Sequence, residues 1–129
     1  MKKPKILIVD DEVMSTRLYS FYLQSYDVDI IIAYNGKDAM ELVRENTDID
    51  IVFMNYMMPI MDGLESTVEI RKFNKDIIII MTSAAIGSYN DLEKRAIESG
   101  CNYCMSLPLR LTQMVEKIEQ YLNTKLIKK

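Results

Sequence analysis

Five times along this chain a short, largely apolar run gives way to a segment whose apolar residues recur at helical spacing. The runs fall at residues 6–9, 28–34, 49–54, 76–81 and 101–107. Strands that are apolar on both faces belong in a parallel sheet covered by helices on each side. Regular alternation of such strands with helices predicts an open α/β sandwich joined by right-handed crossovers.

The helical segments carry their own punctuation. Residues 12–25 place Met14, Leu18, Phe21 and Tyr22 at helical spacing. Asn35-Gly36 opens the second helix, whose inner face includes Ala39, Leu42 and Val43. Asp62 and Glu65 have capping-box spacing before the third. The fourth, about residues 88–99, ends at Gly100, which suits the left-handed position just past a helix. The fifth starts near Leu109, after Pro108, and puts Leu111, Met114, Val115, Ile118 and Leu122 on one face. Residues 46–48 and 87–90 read as loops, and there is no internal repeat or linker. Residues 1–129 are expected to form a single domain.

That length buries a core without disulfides or a metal staple. A net charge of −3 argues against non-specific nucleic-acid binding. The apolar stretch 77–81 is too short to cross a bilayer. No cationic and apolar leader precedes the first strand, so a cytoplasmic location is expected. Cys101 and Cys104 form a C-x-x-C pair, but the chain lacks histidine and any further cysteine to complete a zinc set. The segment reads as a strand, not the helix N-terminus that activates a redox thiol. An odd separation on a strand sends the two side chains to opposite faces, leaving two reduced, partly buried thiols.

In a doubly wound sheet, ligands bind beyond the C-terminal strand ends, where the strand order reverses. For the flavodoxin-like order 2-1-3-4-5 that crevice lies between strands 1 and 3, which end in Asp10-Asp11 and in Asn55. Thr82 ends the fourth strand and Leu107 the fifth, so all should line one rim. The cluster Asp10-Asp11-Glu12, with no glycine-rich cradle, would repel a nucleotide or flavin phosphate, which counts against an electron carrier. It suits a hard divalent cation such as Mg2+. Capping of the following helix accounts for one carboxylate but not for two. Met54, Met57, Met58 and Met61 offer thioethers suited to Cu(I), although adaptable packing explains them more simply.

Taken together, Asp10-Asp11, Met58-Pro59, Asp62-Gly63, Thr82, Gly100 and Pro108 resemble the receiver domain of bacterial two-component response regulators, over essentially the whole chain. The resemblance implies a flavodoxin-like (βα)5 doubly wound sandwich and a role in phosphorelay signalling. It implies that Asp10 and Asp11 bind the metal, that Met57 lends its backbone carbonyl, and that Thr82 hydrogen-bonds a phosphoryl oxygen. Asn55, however, holds the position of the phospho-accepting aspartate, and Leu107 that of a lysine that pairs with the phosphoryl group. Cys104 stands where many members carry a switching aromatic ring, with Tyr103 beside it. The carbonyl of Asn55 can still ligate, but one negative ligand is gone, so Mg2+ binding is expected to be weakened.

A carboxylate attacks phosphorus to give an acyl phosphate. The amide nitrogen of Asn55 has its lone pair delocalised and is a very poor nucleophile. Leu107 cannot supply the charge-assisted contact that steadies the transferring oxygens. The expectation is a pseudo-receiver, not an enzyme: an interaction module that works without phosphorylation. The resemblance implies a protein partner or self-association through the fourth helix, fifth strand and fifth helix, with Arg95, Tyr103, Gln113 and Lys117 on that face. An acceptor moved to Ser83, Thr82 or Ser106 is the alternative, though no base stands beside those hydroxyls. An engineered acceptor substitution would account for Asn55 but not for Leu107. Losing one carboxylate and one lysine together leaves the pocket's net charge unchanged. Asn55→Asp alone adds a third carboxylate without the lysine and should lower the Tm of the metal-free protein at neutral pH. An unchanged or raised Tm would refute this compensation.

Overall fold

In a computed structural model of the chain, described for residues 3–84 and 91–129, the predicted alternation is present throughout. The strands are β1 (Lys5–Val9), β2 (Asp29–Ala33), β3 (Ile51–Asn55), β4 (Ile78–Ser83) and β5 (Tyr103–Ser106). The helices are α1 (Val13–Leu23), α2 (Gly36–Glu45), α3 (Gly63–Arg71), α4 (Leu92–Ser99) and α5 (Leu111–Leu122). All strand pairs are parallel, in the order β2-β1-β3-β4-β5, as the flavodoxin-like reading requires. Among the described residues no helix is long and apolar enough to cross a membrane.

Side-chain alternation along the central strands builds two cores. Leu7, Val9, Val52, Met54, Ile79 and Met81 pack with Ala39 and Val43 of α2, Ile70 of α3 and Ala96 of α4. Ile6, Ile8, Ile51, Phe53, Ile80 and Met105 pack with Tyr19 and Leu23 of α1 and with Met114 and Ile118 of α5. Leu126 joins this second core, and Ile127 and Lys129 bond back to Asp27 and Ser25. The helix signals hold where side-chain chemistry defines them. The Asn35 side chain accepts from the Asp38 N–H at 2.8 Å, and Asp62 and Glu65 form the reciprocal capping box. Gly100 sits at φ 116°, where a Cβ would also lie 2.7 Å from Arg71 Cγ. Arg71 itself donates to the Gly100 and Asn74 carbonyls and to Asn102 Oδ1, which in turn accepts from the Ile79 N–H.

Several expectations change. The apolar period in α1 marks the outward face: Met14, Leu18 and Phe21 are exposed, while Thr16, Tyr19 and Leu23 are buried. Thr16 can enter the core because its hydroxyl donates to the Val13 carbonyl, and the Tyr19 hydroxyl accepts from the Leu109 N–H. Cys101 precedes β5, so strand alternation does not separate the thiols. Both contact the core beneath α2, α3 and α4, and burial pushes both thiols up, Cys104 to about 11. Strand β4 runs on to Ser83, so Thr82 is its penultimate residue, and β5 is shorter than 101–107. Helix α4 is described from Leu92, and the expected start near Ser88 and the loop at 87–90 fall outside the described residues.

Two features set the shape of the segment between β3 and α3. Gly63 lets the first turn of α3 lie against the end of β3, where an added Cβ would stand 2.4 Å from the Asn55 carbonyl oxygen and 2.9 Å from Met81 Sδ. Ile60 is the centre of a γ-turn, with the Met61 N–H bonded to the Pro59 carbonyl at 2.8 Å and φ at 74°. A β-branched residue resists that conformation, and Ile60 is also 77% exposed. Gly63→Ala should cost ~3 kcal/mol through overpacking against backbone, a drop of roughly 10 °C in Tm; a change near zero would show that α3 can slide away. Ile60→Gly should gain ~1 kcal/mol by relieving the turn. A lower Tm for that variant would mean that the side chain contributes more than its strain costs.

Candidate functional site

The rim at the C-terminal ends of β1 and β3 collects the first polar groups to follow two runs of buried apolar residues. Asp10 and Asn55 are only 4% and 8% exposed. The Asp10 carboxylate accepts from the Glu12 N–H at 3.0 Å and from Asn55 Nδ2 at 3.4 Å. The same amide nitrogen donates to the Met57 carbonyl at 3.3 Å. Burial pushes the Asp10 carboxyl above its usual range, the Glu12 N–H works against that, and the charges of Asp11 and Glu12 add to it.

Three expected site residues therefore meet: Asp10, Asn55 and the carbonyl of Met57. Asp11 lies exposed on the rim. Thr82 is buried and stands in register with Asn55 across the β3–β4 pair, and its carbonyl accepts from the Tyr56 N–H at 2.9 Å. Leu107 follows β5 with a cis bond to Pro108 and packs against the core beneath α1 and α5. Cys104 is turned toward α4, its thiol 3.9 Å from the Glu93 carbonyl. Ser83 and Ser106 face each other in register between β4 and β5, the first buried and the second exposed.

The methionines do not converge on one point. Met54 is fully buried, Met58 packs against the first core, and the Met57 side chain is 66% exposed. Among the described residues no group of three or more Asp, Glu, Cys or His is placed to hold a metal ion. Oxygens that ligate Mg2+ must turn toward it at about 2.1 Å. Here the donors of an N–H2 group face two of the oxygens such an ion would use, those of Asp10 and Met57. As arranged, the pocket does not fit the cation.

Sequence reasoning missed three features near this rim. The Arg95 guanidinium lies 5.9 Å from the Tyr56 ring centroid, tying α4 to the residue after Asn55. The orientation of the Asn55 amide depends on which oxygens surround it, information that is not local in sequence. The γ-turn at Ile60 had only Pro59 as a signal, and proline does not fix the sign of φ at the next residue.

The comparisons with known proteins agree with this geometry. The model of the response regulator receiver domain matches residues 6–119. The chemotaxis protein CheY of Halobacterium salinarum is 31% identical over 122 residues, which are 95% of this chain and 98% of that protein. The receiver domain of Ssk1 from Saccharomyces cerevisiae, solved with the histidine phosphotransfer protein Ypd1, superposes with a TM-score of 0.83 at 26% identity, covering 92% of this chain and 88% of that one. The CheX-CheY complex of Borrelia burgdorferi with BeF3 and Mg2+ gives a TM-score of 0.84 at 28% identity, covering 92% of this chain and 89% of that one. Some relatives are much longer, and the chain spans 10% of one and 20% of another. From the acidic first loop, through the MPxMDG segment, to the strand order and the family match, this chain is a member of the response regulator receiver domain family.

Proposed function

We propose that this receiver domain acts in two-component signalling as a protein-interaction module that does not depend on phosphorylation of its rim. The observation that carries the reading is the Asn55 amide, neutral and already engaged with Asp10 and Met57 where a family member would hold its nucleophile. The contact of Leu107 with the second core supports it, since no cation stands there to steady a transferring phosphoryl group. Mg2+ binding is weakened as well, because the neutral Asn55 leaves the pocket one negative ligand fewer.

The partner surface we favour is formed by α4, β5 and α5. Tyr103 and Lys117 stack there with the ammonium 4.0 Å from the ring centroid, and Tyr121 lies 6.5 Å from Tyr103. Beside them a groove of about 380 Å3 is lined by Tyr103, Met105, Gln113, Glu116 and Lys117. Aromatic and long cationic side chains in one patch suit a protein contact. Arg95 belongs less to this patch, because it leans on Tyr56 at the rim. One observation favours a second surface: Met14, Leu18 and Phe21 present an apolar ridge along the outside of α1. The Ssk1 receiver was solved with a histidine phosphotransfer signalling protein, which supports a signalling protein as the partner class.

Treatment with acetyl phosphate and Mg2+, followed by intact-mass measurement, tests the central claim. The expected result is an unchanged mass. A stable gain of about 80 Da, one added HPO3, would overturn it and direct attention to Thr82, Ser83 or Ser106.

A further inference from the structure

We propose that the carboxamide of Asn55 is a built-in replacement for the cation, holding together without metal the oxygens that Mg2+ would otherwise gather. The inference deepens the interaction-module reading and rests on it for the roles given to Asp10 and Met57.

A divalent cation in such a pocket neutralises and crosslinks: it draws a carboxylate on one strand and a carbonyl on a neighbouring loop to a common centre. The Asn55 Nδ2 group does the crosslinking here. One hydrogen goes to Asp10 Oδ1 at the end of β1 and the other to the Met57 carbonyl in the β3–α3 segment. The orientation of the amide is fixed by its surroundings. Turned over, its oxygen would lie 3.4 and 3.3 Å from two acceptors with no proton between them. Both contacts are long for hydrogen bonds, so each is modest in strength. They are nevertheless arranged for a shared N–H2 donor, and an ion that ligates these oxygens at about 2.1 Å would have to displace that donor from both. For Mg2+ to take Asp10 Oδ1 and the Met57 carbonyl as ligands, both bonds must break and the amide must turn over.

An aspartate at this position would make the opposite pocket. Its oxygens would face the Asp10 carboxylate and the Met57 carbonyl with nothing to bridge them, and the β3–α3 segment would then depend on the cation for its position. The amide removes that dependence. The loop carrying Met57 and Ile60 is thereby held in one arrangement whatever the metal concentration, which is what a module that signals through a fixed surface needs.

Hydrogen exchange of the 56–63 segment, read by mass spectrometry with and without about 10 mM Mg2+, tests this without reference to phosphorylation. The wild-type segment should exchange slowly and identically in both conditions. In Asn55→Asp the segment should exchange roughly tenfold faster without metal and recover its protection when Mg2+ is added. Asn55→Ala, which keeps the packing of the strand but has no donor, should exchange faster in both conditions. Added protection of the wild-type segment by Mg2+, or metal-free protection in the Asp or Ala variant equal to wild type, would overturn the proposal. Should either variant be unfolded, a wild-type titration following the Asn55 side-chain N–H2 resonances decides alone: no Mg2+-dependent shift supports the proposal, and a saturable one refutes it. A phosphoryl adduct elsewhere would defeat the functional reading while leaving these exchange results intact.

Discussion

The burial of β1 and β3 on both faces governs where this molecule can do chemistry. Residues 6–9 and 51–54 are essentially inaccessible, and each side chain is committed to one of the two cores. A polar side chain inside either run would need a partner that neither core supplies. Polar groups are therefore confined to the positions where the strands end, and Asp10 and Asn55 are the first such positions. Gly63 then brings α3 against the Asn55 carbonyl, which leaves little freedom for the residue on which the site turns.

Within that confined rim the two unusual residues solve different problems. Asn55 supplies donors to oxygens that would otherwise face one another unbridged. Leu107 extends the second core by an aliphatic side chain, adding apolar area worth about 25 cal/mol per Å2 removed from water. A lone buried charge at either position would demand its counterpart. Their joint neutrality leaves a rim that is self-consistent, as the proposed phosphorylation-independent role requires.

The strand order came with the receiver resemblance, whereas the element sequence and the capping residues could be read from the chain because each rests on local pattern or on a side chain bonding to its own backbone neighbourhood. Asn35 and Asp62 show this, as both caps form through contacts three residues away. The face of α1 could not be read, since Thr16 and Tyr19 hide their polarity in bonds to Val13 and Leu109, and the second of these lies far off in sequence. The thiols misled for a related reason: Cys101 sits before β5, so a rule that holds within a strand was applied across its start. For the site, residue identities gave membership of the rim, but the direction of the Asn55 amide came only from the oxygens assembled around it.

Arg71 carries a mechanical implication. Its guanidinium fastens the end of α3 to the turn after α4, while Asn102 passes the attachment on to the β4 backbone. That rivet lies at the N-terminal end of the strands, opposite the acidic rim, and an arginine stays ionised across the physiological range. These bonds hold α3, the turn after α4 and β4 together at this end of the sheet. Movement of α4 or β5 is resisted at this end and least resisted at the other, near Tyr56, Leu107 and the first turns of α4.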